Sequence, residues 1–283
     1  MSRLFEALQV SASEKSGGAP AEELTLVNDM FQAKEGKPHS TDDWCTLRVA
    51  PSPESRLVSL VDRRSLGAEK FRLLAVRLRE MQQAKGLKRI LITSTIAEEG
   101  KSVISANLAI TLARRHQQRV LLIEGDLRRP TLLKQFGLCG LPGLSESLAS
   151  NAGMRANLYF LEEPHLWFIP AGQQPENPLE LMQSERLSEL LSLLCSAFDW
   201  VVIDSPPLLP LADTTVWSRV SDGIILVARE GVTEMKALKR GLEAVSRTNL
   251  VGVVLNSCTD VDHGNYYHRY APSLPQASLE NIS

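Results

Sequence analysis

Residues 89–103 read RILITSTIAEEGKSV, and the chain continues as ISANLAITLARR to residue 115. The first six residues are a short apolar run of strand character, and from Ser102 onward the spacing predicts a helix. A strand that turns directly into a helix points the free N–H groups of the helix start at whatever lies above the turn, which favours an anion. Gly100, Lys101 and Ser102 match the end of the phosphate-binding pattern G-x-x-x-x-G-K-[ST]. The residue types suit that chemistry. Gly100 permits close approach, Lys101 carries charge to the β- and γ-phosphates, and the Ser102 hydroxyl is a Mg²⁺ ligand. Thr95, Glu99 and Val103 complete the expected cradle, with Thr95 where the pattern has its first glycine. The loop centre carries Ala97, Glu98 and Glu99, and two acidic side chains beside a triphosphate are tolerable only if they turn away. Taken alone, the tripeptide is also compatible with an ordinary helix start.

Working outward, apolar runs and helical stretches alternate. RVLLIEGD (119–126), DWVVIDSPP (199–207), GIILVA (223–228) and VGVVLN (251–256) read as buried strands, with LYFLEE and LWFIPA as further strands. SERLSELLSLLCSAF reads as a helix between them, and LGAEKFRLLAVRLREMQQAKG as a helix before them, with Phe71, Leu74, Leu78 and Met81 on one face. Strands this apolar, separated by helices, predict an α/β fold: a mainly parallel sheet with helices on both faces. Ligands of such sheets bind at the carboxyl ends of the strands. Glu124 and Asp126 close one strand and Asp204 closes another, so three carboxylates share an edge with the GKS turn. Carboxylates there can hold Mg²⁺ directly or through water.

Composition agrees with a globular protein. The chain has 283 residues, 43% hydrophobic and 23% charged, and a formal charge of -2 gives no reason to expect nucleic-acid binding. Cys45, Cys139, Cys195 and Cys258 lack paired spacing, which points to reduced thiols rather than disulfides or zinc. His263 and His268 have no completing metal ligands. No run reaches the ~18 apolar residues of a membrane helix, and the start reads as no signal peptide. The expected organisation is therefore a mostly disordered extension over 1–60, a domain over 61–262 and a flexible tail over 263–283. Within the extension, Leu4, Phe5 and Leu8 share a face of a short amphipathic helix at 2–10. Within the tail, HGNYYHRYAP holds three of the chain's four tyrosines, Tyr266, Tyr267 and Tyr270.

These motifs together resemble the bacterial tyrosine kinases, cytoplasmic autokinases of exopolysaccharide and capsule synthesis within the P-loop ATPases. TIAEEGKS stands for the Walker A loop, LLIEGDLRRP for the second acidic motif, VVIDSPP for Walker B and YYHRY for the tyrosine tail. The resemblance runs from about Glu69 to the tail. It implies ATP and Mg²⁺ as cofactors, Lys101 and Ser102 on phosphate and metal, and Asp126 and Asp204 supporting Mg²⁺. It implies that Glu124 helps activate the acceptor hydroxyl, although the family has aspartate there. It implies Tyr266, Tyr267 and Tyr270 as phosphoacceptors, a homo-oligomer, and a separate membrane polysaccharide co-polymerase as activator. It also places the chain at the inner face of the plasma membrane through that partner. The family's E-x-x-R-x-x-R helix motif is partial here: Glu69 and Arg72 match, and Ala75 does not.

Two other functions stay open at this level. A positioning-type ATPase would carry a signature lysine where this loop has Ile96. A nucleotide-binding regulator without transferase activity is the reading that Glu98 and Glu124 favour.

Overall fold

The structure is a computed structural model, and it describes residues 45–52, 55–115, 118–150, 156–209, 212–245 and 249–258. The expected 2–10 helix and Tyr266, Tyr267 and Tyr270 lie outside them.

Eight strands among the described residues form one sheet, and the alternating apolar runs supply its centre. They are β1 (Thr46–Leu47), β2 (Arg89–Ser94), β3 (Val120–Glu124), β4 (Tyr159–Leu161), β5 (Leu166–Ile169), β6 (Trp200–Asp204), β7 (Gly223–Arg229) and β8 (Leu250–Asn256), in the order β1-β4-β5-β3-β6-β2-β7-β8. All neighbours are parallel except the antiparallel pair β4–β5. Successive side chains of a strand point to opposite faces. Ile90, Ile92, Leu122 and Val202 therefore enter one core, while Leu91, Leu121, Ile123 and Val201 enter the other. Both faces are covered, which is why these strands are apolar at every position.

The helices are α1 (Val58–Val61), α2 (Leu66–Lys85), α3 (Lys101–Ala113), α4 (Leu132–Gln135), α5 (Leu144–Ala149), α6 (Pro178–Met182), α7 (Glu185–Ala197), α8 (Asp213–Arg219) and α9 (Met235–Ala244). The expected helix before the strands is α2. The Ser65 side chain caps it by accepting from Ala68 N–H, and Gly86 ends it with φ 69°. α3 is buried along almost its whole length, because α1 and α2 pack on the side away from the sheet.

The body begins earlier than the expected boundary at residue 61. Thr46 and Leu47 pair with Phe160 and Leu161, and Leu57 is fully buried in the core. Asn107 on α3 anchors the next turn, accepting from Ser59 N–H (2.8 Å) and donating to the Arg56 carbonyl (2.9 Å). Composition read 45–60 as disordered because nothing local orders it. The described residues of that stretch take their places from partners far along the chain, Phe160, Leu161 and Asn107, and the burial of Leu57 contributes about 1.5–3 kcal/mol.

At the opposite end of the sheet from the strand tips, Asp222 joins β7 to β2. It accepts from Arg89 N–H (2.7 Å), Lys88 N–H (3.1 Å) and the Arg89 guanidinium (2.6 Å). Burial works to raise its pKa, but the Arg89 bonds outweigh burial and hold the carboxyl below its ordinary range. A carboxyl depressed in the folded state stabilises above its unfolded pKa, and that contribution is lost as pH falls through the folded value. Asp222→Asn should therefore cost about 1–2 kcal/mol at pH 7. In urea melts from pH 7 downward, its deficit against the unsubstituted protein should shrink as the solution becomes acidic.

Candidate active site

The carboxyl ends of β2, β3 and β6 meet at one point of the sheet edge. Register sets Glu124 directly beside Asp204 and Asp204 beside Ile92, three residues before Thr95 opens the phosphate loop. Gly125 lets the chain leave β3 tightly. Its N–H donates to the Asp204 carbonyl (2.7 Å), and a Cβ there would lie 2.6 Å from the Trp217 ring.

Lys101 is the central cation. Its ammonium lies 2.9 Å from Asp126 Oδ2 and 3.4 Å from Ser102 Oγ, with side chains only 14% and 4% exposed for Lys101 and Asp126. Burial pulls the Lys101 pKa down, but Asp204 and Asp126 more than offset it, so the ammonium is held charged above its usual value. Asp204 is raised, chiefly by burial and against the pull of Lys101. Ser105 donates to Asp204 Oδ1 (3.2 Å), while Oδ2 is buried without a hydrogen-bond partner. An orphaned carboxylate oxygen is costly unless something occupies it. Its position near Ser102, in a site where carboxylates outnumber the one ammonium, fits a divalent cation bound with a nucleotide.

The other expected residues fall as follows. Glu98 is exposed with φ 67°, its carbonyl accepting from the Arg229 guanidinium (3.3 Å). Glu99 is fully buried, its carboxylate bonded to Ile96 N–H and to the Thr233 hydroxyl rather than to Lys101. Thr95 is buried with its hydroxyl unpaired, and its methyl faces Gly241 on α9, leaving only its backbone for the loop. Val103 sits in the first turn of α3, where its carbonyl accepts from Asn107 (2.8 Å). Gly100 has φ 92°, and a Cβ there would lie 2.2 Å from the Asn256 amide nitrogen. Glycine is thus required by Asn256 as well as by phosphate approach.

Glu124 differs most from its expected role. Oε1 accepts from Leu132 N–H (2.5 Å) and Oε2 from Ala171 N–H (3.1 Å), with the residue 1% exposed. Burial raises its pKa to about 6, against the lowering effect of those amides. The carboxylate bridges the loop after β3 to the loop after β5.

Several contributors escaped the sequence reading. Arg128 forms a two-pronged pair with the buried Asp213, Nε to Oδ2 at 2.5 Å and Nη2 to Oδ1 at 3.0 Å, fixing the acidic loop against α8. Asp213 reads in sequence only as an acidic helix start. Ser105 lies one turn beyond Lys101, a spacing that could have flagged it. Asn256 closes VGVVLN as Asp204 closes VVID, the same strand-end signal. Thr233 gives no sequence signal.

The profile of the CobQ/CobB/MinD/ParA nucleotide binding domain matches residues 90–274. Over 215 residues the chain is 32% identical to Tyrosine-protein kinase YwqD of Bacillus subtilis, covering 75% of this chain and 90% of that protein. The chain belongs to this family of bacterial tyrosine kinases. Tyrosine-protein kinase wzc of Salmonella typhimurium is 31% identical over 225 residues, covering 77% of this chain but 31% of that longer protein. Among solved structures, the kinase domain of Escherichia coli tyrosine kinase ETK superposes with a TM-score of 0.65 at 26% identity, covering 85% of this chain and 94% of that one. The mostly parallel P-loop fold expected from sequence is the fold of this family. No helix of the described residues is long and apolar enough to cross a membrane.

The bridge made by Glu124 explains why glutamate stands there: its extra methylene spans two loops. Glu124→Asp should reach only one amide and leave the other buried N–H unpaired. The expected loss is about 1–3 kcal/mol in urea unfolding at pH 7.

Proposed function

We propose that this tyrosine kinase transfers the γ-phosphoryl group of ATP to Tyr266, Tyr267 and Tyr270, between subunits of a homo-oligomer. We propose that it thereby regulates exopolysaccharide or capsule synthesis with a membrane co-polymerase as its activator. The observation that carries the reading is the buried Lys101–Asp126–Asp204 constellation, in a chain so similar to a named tyrosine kinase.

Lys101 and the N–H groups at the start of α3 hold the phosphates, and Ser102 and Asp204 are the residues that would hold Mg²⁺. A bound Mg²⁺ supplies neutralisation of the charge on the phosphate oxygens. The acceptor Oη attacks the γ-phosphorus, the bond to the bridging oxygen breaks, ADP leaves and the phenolic proton must go to a base. A phenol with pKa near ~10 needs a carboxylate within reach. Both oxygens of Glu124 accept from backbone amides, whereas Asp126 pairs with Lys101, for which the phosphates compete, so Asp126 takes the proton in this reading and Glu124 holds the loop that carries Asp126.

Chain length bounds which sites the tail tyrosines can reach. Four strand spacings of ~4.8 Å separate β8 from β3, about 19 Å. Tyr266 stands eight residues beyond Cys258, so a fully extended chain reaches only about 27 Å. Tyr270 stands twelve residues beyond Cys258 and reaches about 40 Å, so chain length permits transfer to a neighbour's site without requiring it.

Mass spectrometry of the purified protein after Mg·ATP incubation tests the proposal. Phosphotyrosine is expected at Tyr266, Tyr267 and Tyr270, rising more than linearly with protein concentration, and falling about 10²–10³-fold in Lys101→Ala. Phosphate release without phosphotyrosine would instead identify a positioning-type ATPase, and nucleotide binding alone a regulator.

A further inference from the structure

The phosphate loop has a second side, where Glu99 meets Thr233 and Asn256. Glu99 is fully buried. Its Oε2 accepts from Ile96 N–H at 2.9 Å, closing the loop on itself. Its Oε1 accepts from the Thr233 hydroxyl, which lies in the turn between β7 and α9. The Thr233 oxygen in turn accepts from Arg229 N–H at 2.7 Å, so its single proton is committed to Glu99. Asn256, the last residue of β8, donates its amide to the Glu99 carbonyl at 2.9 Å. The same amide group accepts from Ser257 N–H at 2.8 Å through Oδ1, at the point where the chain leaves the sheet.

We propose that Thr233 and Asn256 are positioning residues for the nucleotide, acting through Glu99 on the loop that holds the phosphates. The proposal rests on the nucleotide-site reading of Lys101 and Ser102 given above.

The argument is electrostatic as much as geometric. A phosphate loop works because its N–H groups converge on an anion, and a carboxylate within that loop opposes the same anion. Glu99 is tolerable only while its charge is held on the far side, by two donors in a buried setting where charge-assisted hydrogen bonds are strong. Removing the Thr233 hydroxyl strips one donor from a buried carboxylate. The carboxylate is then free to swing toward the phosphates, which loosens the loop closed by Ile96 N–H. Asn256 secures the same residue through its backbone. Gly100 has the space for it only because it lacks a Cβ, which would lie 2.2 Å from the amide nitrogen. Thus the rim formed by β7 and β8 sets the shape of a loop that grows from β2. Asn256 also links that shape to the segment from which the tyrosine tail departs.

The test is a fluorescence titration of the full chain with a fluorescent ADP analogue, across Thr233→Val, Thr233→Ser, Asn256→Ala and Lys101→Ala. Thr233→Val keeps the shape and removes the hydroxyl, whereas Thr233→Ser keeps both of its hydrogen bonds. The expected result is a roughly tenfold rise in Kd for Thr233→Val and for Asn256→Ala, near-complete recovery in Thr233→Ser, and nucleotide-free melting temperatures unchanged within a few degrees. In kinase assays the same variants should raise KM for ATP more than they lower kcat. If Lys101→Ala weakens binding and Thr233→Val does not, the positioning role is overturned while the nucleotide site stands. If Thr233→Ser binds as poorly as Thr233→Val, the hydroxyl is not the acting group. If none of the four changes binding, the nucleotide-site reading itself fails, and this proposal with it.

Discussion

The attraction between Lys101 and the carboxylates gathered at the ends of β3 and β6 is the interaction around which the site is built. Burying Asp126 and Asp204 at one sheet edge would be prohibitive without a cation, because ionised groups removed from water lose several kcal/mol of hydration each. Lys101 is delivered there by the first residue of a buried helix, so its position follows from α3 packing between the sheet and α1 and α2. That packing depends in turn on α1, which Asn107 ties down from within α3 itself. A segment that composition marks as linker is therefore part of what holds the catalytic helix in place.

The charges do not balance within the protein. One ammonium faces Asp126 and Asp204 at close quarters, Glu124 lies beside them, and one oxygen of Asp204 has no donor. Such an arrangement is poorly designed for stability and well designed for binding. Protein interiors normally satisfy their buried polar atoms, and an unpaired carboxylate oxygen beside a phosphate loop marks where a ligand supplies the missing partner. The cost is met elsewhere, by the apolar burial on both faces of the sheet.

Much of this was legible in the sequence, for reasons that separate cleanly. The strands could be read because a sheet covered on both faces needs apolar residues at every position. The site could be read because a parallel sheet puts all its strand ends on one edge, so that GKS, Glu124, Asp126 and Asp204 had to lie near one another. What escaped depends on pairs far apart in the chain. Thr46 pairs with Phe160, Arg128 with Asp213 and Glu99 with Thr233, and no local pattern announces any of them. Asn256 was readable by the same strand-end logic as Asp204, since an amide closing an apolar strand is as pointed a signal as a carboxylate.

Two glutamates of the site, Glu99 in the phosphate loop and Glu124 at the end of β3, share one physical explanation. Beside a triphosphate, Glu99 and Glu124 look like repulsion. In the fold, Glu99 spends its oxygens on Ile96 N–H and the Thr233 hydroxyl, and Glu124 spends its oxygens on the N–H groups of Leu132 and Ala171. Each is a buried anion used as an internal cap, satisfying backbone donors in loops that have no secondary structure to do it. The reach of glutamate matters in both cases, because each carboxylate joins two separate segments. A carboxylate with both oxygens so occupied has little left to offer a substrate. Asp126 is occupied as well, by Lys101 and by Arg129 N–H within its own turn, but its lysine is the group for which the nucleotide's charge competes, and that is why the proposed reacting role rests on Asp126.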